Sequence, residues 1–332
     1  MDNFLVTGAS GYVGRAFLEL ALAEGKRLTA LGRHPVGGGI DFIPCDLTDD
    51  EAMERSLAGR EFTHIIHLAS LPGDTGDPRQ MVRVNVNGCQ NLLEAARRMR
   101  VKRFVLASSI SAYEWYPATR FNPPDYLPVD EKHPCRPKDM YATTKRMQEE
   151  LAQAYFHQYG VPTVTLRLTA VIGPHGRGGG RGWRKFAEGL AEGKQVQIPH
   201  LSADEICHYV DSRDVARLLL TAATHPQAAG EIFNCCGPAR TSGSEFMQAA
   251  RQVMPGIEVQ TGFPWSMAQG GTVYFDMSKA KQLLGFEPRY SVQHSLEDIK
   301  NWIDANGLEN EPGEADDKTF GSGVSETSRS GE

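Results

Sequence analysis

Through the first two thirds of this chain, short apolar runs alternate with segments whose apolar residues recur at helical spacing. That alternation constrains the fold more than any other feature, because strand, helix and strand in succession are the unit from which parallel sheets are wound. Strands are expected at 4–7, 28–31, 64–68, 104–107 and 163–168, and helices at 12–24, 50–57, 84–100 and 141–159. In the third helical segment Val86, Leu92, Leu93 and Ala96 supply the apolar stripe. The expected class is α/β, a doubly wound parallel sheet.

The pattern changes after Gly173-Pro174, where glycines and arginines crowd residues 175–184 and the later periodic elements shorten. A large unit of 1–174 plus about 208–236 is therefore expected, with a smaller C-terminal substrate lobe built from about 175–207 and 237–306. A length of 332 residues accommodates both. Residues 308–332 carry too little apolar mass to offset ordering entropy, so a disordered tail is expected.

A net charge of −6 supplies no basic field for nucleic acid or an anionic membrane, which leaves small-molecule chemistry. Six scattered cysteines lack metal-ligand spacing, and no metal site is expected. No apolar stretch approaches a membrane span and no leader pattern opens the chain, so the expected compartment is the cytoplasm.

Thr7-Gly8-Ala9-Ser10-Gly11-Tyr12-Val13-Gly14 follows the first strand and opens the first helix. A dinucleotide needs such a segment: Gly8 permits a tight turn, Gly11 lets backbone approach a pyrophosphate, and Gly14 lets helix and strand pack closely. At the end of the second strand, where a carboxylate would accept the ribose hydroxyls of NAD, the run is Leu31-Gly32-Arg33-His34. Arg33 can meet a 2′-phosphate, so NADP is favoured over NAD. Asp46-Leu47 is expected beside the adenine.

Tyr141 and Lys145 stand four residues apart at the opening of a helix, which puts phenol and ammonium on one face. A phenol of pKa about 10 is a poor base unless a cation favours its anion, and Lys145 is the expected cation. The serine-rich strand end Leu106-Ala107-Ser108-Ser109-Ile110-Ser111 comes earlier in the chain. Strands of a parallel sheet present ligands at their carboxyl ends, so Ser109 and Tyr141 can converge on one substrate oxygen.

Taken in order, these pieces resemble the extended short-chain dehydrogenase/reductase family, the NAD-dependent epimerase/dehydratase group. The resemblance covers roughly residues 1–305. It rests on TGASGYVG (7–14), Asp46-Leu47, HLAS (67–70), Asn85-Val86-Asn87-Gly88, VKRFVLASS (101–109), YATTK (141–145), Gly173-Pro174, Val210-Asp211 and SKAKQLLGFEP (278–288). It implies a Rossmann-type fold, a nicotinamide held by Gly8, Ser10, Gly11, Tyr12, Val13, Gly14, Arg33, Asp46, Leu47, Leu68, Ala69, Ser70, Tyr141 and Lys145, and catalysis by Ser109, Tyr141 and Lys145. It also implies a homodimer through 84–100 and 141–159. Ser109 is preferred to Ser108 because the family's catalytic serine or threonine stands four residues before a tyrosine, here Tyr113.

Two departures narrow the chemistry. The dehydratases of the group carry Asp-Glu after the catalytic serine or threonine, whereas Ile110-Ser111 stand here. Nucleotide-sugar epimerases carry an arginine before the Val-Asp pair, whereas Glu205-Ile206-Cys207-His208-Tyr209 precede Val210. The expected activity is an NAD(P)-dependent oxidation or reduction at a hydroxyl or ketone carbon of a sugar, sugar acid or related compound. The alternatives are a nucleotide-sugar epimerase with tightly held NAD and a non-catalytic cofactor-binding protein. Candidate substrate contacts are Ser111, Trp115, His175, Arg184, His208 and Arg213.

Overall fold

The computed structural model describes residues 2–71, 77–113, 123–174, 189, 196–197, 206–257, 259–260 and 273–306. The expected tail lies outside the described residues.

Seven parallel strands form the central sheet. In chain order the first six are β1 (Asn3–Thr7), β2 (Arg27–Gly32), β3 (Asp41–Pro44), β4 (His64–His67), β5 (Arg103–Ser109) and β6 (Thr163–Leu168). The spatial order is Ile232–Cys235, β6, β5, β4, β1, β2, β3. The chain thus winds one way from β1 through β3 and the other way from β4 onward. Between β1 and β4 the connections diverge, which opens a crevice at the strands' carboxyl ends.

Alternation along the strands explains why both faces are covered. Phe4, Val6, Ile66, Val105, Val164 and Leu166 pack on one face with Phe17, Leu218 and Leu219. Leu5, Ile65, Phe104 and Leu106 pack on the other with Leu92, Leu93 and Ala96. A strand buried on both sides reads as a continuous apolar run, which is what made β1 and β4 legible. The first face is sealed by α1 (Tyr12–Ala23) and the helix Ser212–Thr224, and the second by α2 (Asp50–Leu57), α4 (Gly88–Met99) and α5 (Met140–Tyr159).

Three differences from the expected elements have physical causes. The helix expected at 84–100 begins earlier, as α3 (Pro78–Met81) followed by a π-helical turn, Val82–Asn87, that runs into α4. Pro78 at the first helical position and the Asp77 side chain accepting from Arg79 N start it. Within the turn, Gln148 of α5 donates Nε2–H to the Asn85 carbonyl at 2.7 Å, the kind of intrusion that widens a helix. Third, Tyr209–Asp211, within the 208–236 stretch expected in the large unit, does not join the central sheet. It pairs in parallel with β7 (Ala170–Ile172), and only Ile232–Cys235 joins β6. Beyond them Tyr209, Phe246, Ala250, Leu296 and Ile299 gather into a separate apolar cluster.

Among the buried histidines, His64, His67 and His208 give the fold a pH dependence. His64 stacks on Phe4 with centroids 4.6 Å apart, His67 shares a 2.8 Å hydrogen bond with Thr7 Oγ1, and His208 lies between Gly237 and Phe275. Burial lowers His67 to about 3 and the other two to about 4, from a usual 6.5. Below pH 6.5 the unfolded chain therefore binds protons that the folded chain refuses. Stability falls as pH drops from 6.5 toward about 4, by about 1.4 kcal/mol per pH unit for each histidine. Urea unfolding across that window should register the slope, and His67→Gln should reduce it; a flat profile contradicts this account.

Candidate active site

The crevice between β1 and β4 is a cavity of about 540 Å³. Its floor is the glycine turn. Gly8 has φ +69°, and a Cβ there would lie 2.6 Å from Ala69 N, so turn and opposite wall touch backbone to backbone. A Cβ on Gly14 would lie 2.3 Å from the Gly8 carbonyl oxygen, which is why α1 starts so close to the strand. At Gly11 the nearest atom to a Cβ is the Gly8 carbonyl oxygen at 3.3 Å. No side chain caps α1, so its first backbone N–H groups are left for a ligand anion at the cavity floor. Ser10, Tyr12 and Val13 border the same space.

The facing wall is Leu68, Ala69, Ser70 and Leu71. Asn85 holds it: Leu71 N donates to Asn85 Oδ1 at 2.7 Å, and Asn85 Nδ2 donates to the Leu71 carbonyl and to Thr144 Oγ1. One fully buried amide thus ties this loop to α5.

At one end of the cavity stand Arg33, His34, Asp46, Leu47 and Thr48. Asp46 is held below the usual carboxylate range chiefly by the Thr48 backbone N–H, which it accepts at 2.8 Å, and further by the charges of Arg33 and Arg83. Asn91 Nδ2 donates to the Leu47 carbonyl at 2.9 Å, docking this loop on α4.

At the other end β5 and α5 meet. The Asp139 side chain caps α5 by accepting from Ala142 N at 2.7 Å, and Tyr141 and Lys145 border the cavity one turn apart. Lys145 Nζ donates to the Ala107 carbonyl at 3.0 Å and lies 5.8 Å from the centre of the Tyr141 ring. Burial lowers Lys145 to about 8, against the charges of Cys89 and Glu149. Burial raises Tyr141 to about 12, opposed by a hydrogen bond with Ser109. In the chain alone burial dominates at the phenol, and the influence opposing it comes from Ser109. Ser108 and Ser109 both border the cavity, but the Ser108 hydroxyl is spent on Glu149 Oε1 at 2.6 Å. Ser109 is the one that reaches Tyr141.

The three candidate substrate contacts among the described residues are not gathered there. Ser111 receives a hydrogen bond from Ser109 Oγ at 3.1 Å but does not border the cavity. His208 accepts from Phe275 N through Nδ1 and bonds the Gly237 carbonyl through Nε2, so both ring nitrogens are spent in the fold. Arg213 forks onto Asp211, pairs with Asp298 and lies 3.9 Å over the Tyr290 ring, away from the cavity. Trp115, His175 and Arg184 lie outside the described residues.

Sequence reasoning missed the support behind the Tyr141 end of the cavity. Glu149, with no exposed side-chain surface, takes a bidentate grip from Arg167 at 2.9 and 2.8 Å, and adds Arg146 at 3.0 Å and Ser108. Arg167 also lies 4.4 Å over the Tyr113 ring. The available signal was spacing, since Tyr141, Lys145 and Glu149 step by four along one helix face.

A family model for the NAD dependent epimerase/dehydratase family matches residues 4–236. The UDP-glucuronate 4-epimerase of Thermodesulfobacterium geofontis is 28% identical over 330 residues, spanning 92% of this chain and 97% of the relative. The L-arabinose 1-dehydrogenase (NAD(P)(+)) of Haloferax volcanii is 30% identical over 173 residues, 51% of this chain and 66% of the relative. The crystal structure of Thermus thermophilus UDP-glucose 4-epimerase in complex with NAD matches with a TM-score of 0.77 at 26% identity, covering 92% of this chain and 99% of that one.

Proposed function

We propose that this chain, which belongs to the NAD dependent epimerase/dehydratase family, is an NAD(P)-dependent oxidoreductase of a sugar, sugar acid or related hydroxy compound. The observation that carries the reading is the convergence of Ser109, Tyr141 and Lys145 on the cavity whose floor is the glycine turn. The residues fit a dinucleotide: three glycines at its floor leave no side chain in the way, and Arg33, Arg83 and Lys145 outnumber Asp46 along its walls. Cations predominate there in a chain of net charge −6.

A nicotinamide held by these residues would supply hydride transfer and, in its oxidised form, a positive charge. The chain's own residues do the rest. Ser109 donates a hydrogen bond to the substrate oxygen, and the Tyr141 hydroxyl exchanges a proton with that same oxygen. Lys145, fixed by the Ala107 carbonyl, presents an ammonium below about pH 8. Arg33, at the end of β2 where no carboxylate stands, favours NADP over NAD. Outer faces of α4 and α5 are the proposed homodimer contact.

The second reading is a nucleotide-sugar epimerase that keeps its NAD. It is favoured by relatives named as 4-epimerases that align over nearly the whole chain, where the arabinose dehydrogenase aligns over half. Against it stands the run Glu205-Ile206-Cys207-His208-Tyr209 before Val210, which has no arginine where nucleotide-sugar epimerases of the family carry one.

A panel of sugars, sugar acids and their nucleoside diphosphate forms, offered with NAD and NADP, separates the two. Reduced nicotinamide accumulating in proportion to product supports the oxidoreductase. Epimer formed with no net change in nicotinamide absorbance overturns it in favour of the second reading.

A further inference from the structure

Arg83 was not singled out by any motif, yet it borders the cavity with Arg33. It belongs to the π-helical turn Val82–Asn87, and Gln80, Arg83 and Val84, spaced three and four apart, present one face of this helix to the cavity. The turn exists because Gln148 takes the Asn85 carbonyl, and widened turns of this kind recur at functional sites. Arg83 is exposed and, among the described residues, makes no hydrogen bond or ion pair; the same holds for Arg33.

Asp46 is the single carboxylate bordering this cavity among the described residues; the charges of both guanidiniums act on it, and it already accepts the Thr48 N–H. Two arginines around one carboxylate leave a positive surplus at this end of the cavity. The surplus is not needed by a pyrophosphate, whose seat is the helix N-terminus at Gly11–Val13. NAD brings no further anion. A phosphate monoester on the adenosine ribose brings about −1.5 to −2 at neutral pH.

We propose that Arg83 is the second arm, opposite Arg33, of a clamp for the 2′-phosphate of NADP. The proposal rests on the reading of this cavity as a dinucleotide site. Arg33 reaches the phosphate from the end of β2 and Arg83 from the helix across the crevice, so the anion is held from two elements. Asp46 keeps the two like charges in place when the phosphate is absent. Guanidinium suits the task because it offers paired donors to phosphate oxygens and stays charged at every working pH.

The test is equilibrium binding, which needs no substrate. The full chain, freed of nucleotide, is titrated with NADP, NAD and 2′,5′-ADP by calorimetry, as wild type, Arg83→Gln and Arg33→Gln. Loss of a charged hydrogen bond should weaken NADP and 2′,5′-ADP by about 10-fold or more in either variant, with NAD changed less than about 2-fold. Equal weakening of NAD and NADP by Arg83→Gln overturns the proposal and assigns the side chain to the adenine or pyrophosphate. Unchanged NADP binding, or a wild type that prefers NAD, overturns it while leaving the dinucleotide site standing. A wild type that binds none of the three removes the dinucleotide reading and this proposal together.

Discussion

Replacing Tyr141 by Phe should lower kcat by about 10²- to 10⁴-fold, the range for a positioned proton-transfer group, while the dissociation constant of the nicotinamide dinucleotide stays within about 2-fold. The substitution removes one oxygen from a half-buried ring and leaves the ring in place, so the cavity keeps its shape. What disappears is the only phenol that lies beside both the Ser109 hydroxyl and the Lys145 ammonium among the described residues. Ser109→Ala should cost less, since a hydrogen bond to the substrate oxygen is lost but the proton carrier remains. The measurement is steady-state kinetics on the substrate that the panel identifies, beside calorimetric binding of the dinucleotide. A Tyr141→Phe protein of undiminished kcat would remove the phenol from the mechanism, and one that had lost dinucleotide affinity would make it a binding residue.

Glu149→Leu should destabilise the fold by about 3–5 kcal/mol, because it leaves Arg167 charged in a place with almost no solvent contact. Arg167→Met should cost less. In that variant Glu149 still accepts from Ser108 and pairs with Arg146, which is itself partly exposed and brings water to the carboxylate. The double variant should regain part of the loss, since neither charge is then buried alone. Urea unfolding of the three proteins measures this ordering. The effect is large against a typical total of about 5–15 kcal/mol, so Glu149→Leu should also unfold several degrees earlier. If Glu149→Leu proved as stable as wild type, the carboxylate could not be the anchor that joins α5 to the ends of β5 and β6.

These two residues mark the boundary of what was legible from the sequence. Tyr141 and Lys145 could be found because their spacing has a direct chemical meaning and because Ser109 ends a strand in a known kind of sheet. Glu149 carries the same spacing onward, but a glutamate in a helix reads as a solvated face until its burial is seen. The doubly wound sheet was readable because its strands are apolar on both faces, as in Phe4-Leu5-Val6 and Ile65-Ile66. The start at Pro78 and the widened turn were not, since the Gln148 side chain that takes the Asn85 carbonyl comes from a helix 63 residues away. His208 and Arg213 were read as lying near the substrate pocket. In space their polar atoms were already claimed, by Phe275 and Gly237 in one case and by Asp211 and Asp298 in the other. The pairing of Tyr141 with Lys145 along one helix face left out burial, which acts on both groups and whose sign for a phenol opposes that for an ammonium.

The central claim is that one cavity holds a nicotinamide dinucleotide with its reactive ring beside Tyr141. A crystal structure of the chain with bound NADP tests it most directly. The account predicts the pyrophosphate over the backbone of Gly11–Val13 and the nicotinamide ring in contact with the Tyr141 hydroxyl, within reach of Ser109. A dinucleotide bound with its nicotinamide elsewhere, and the phenol turned from it, would contradict the account.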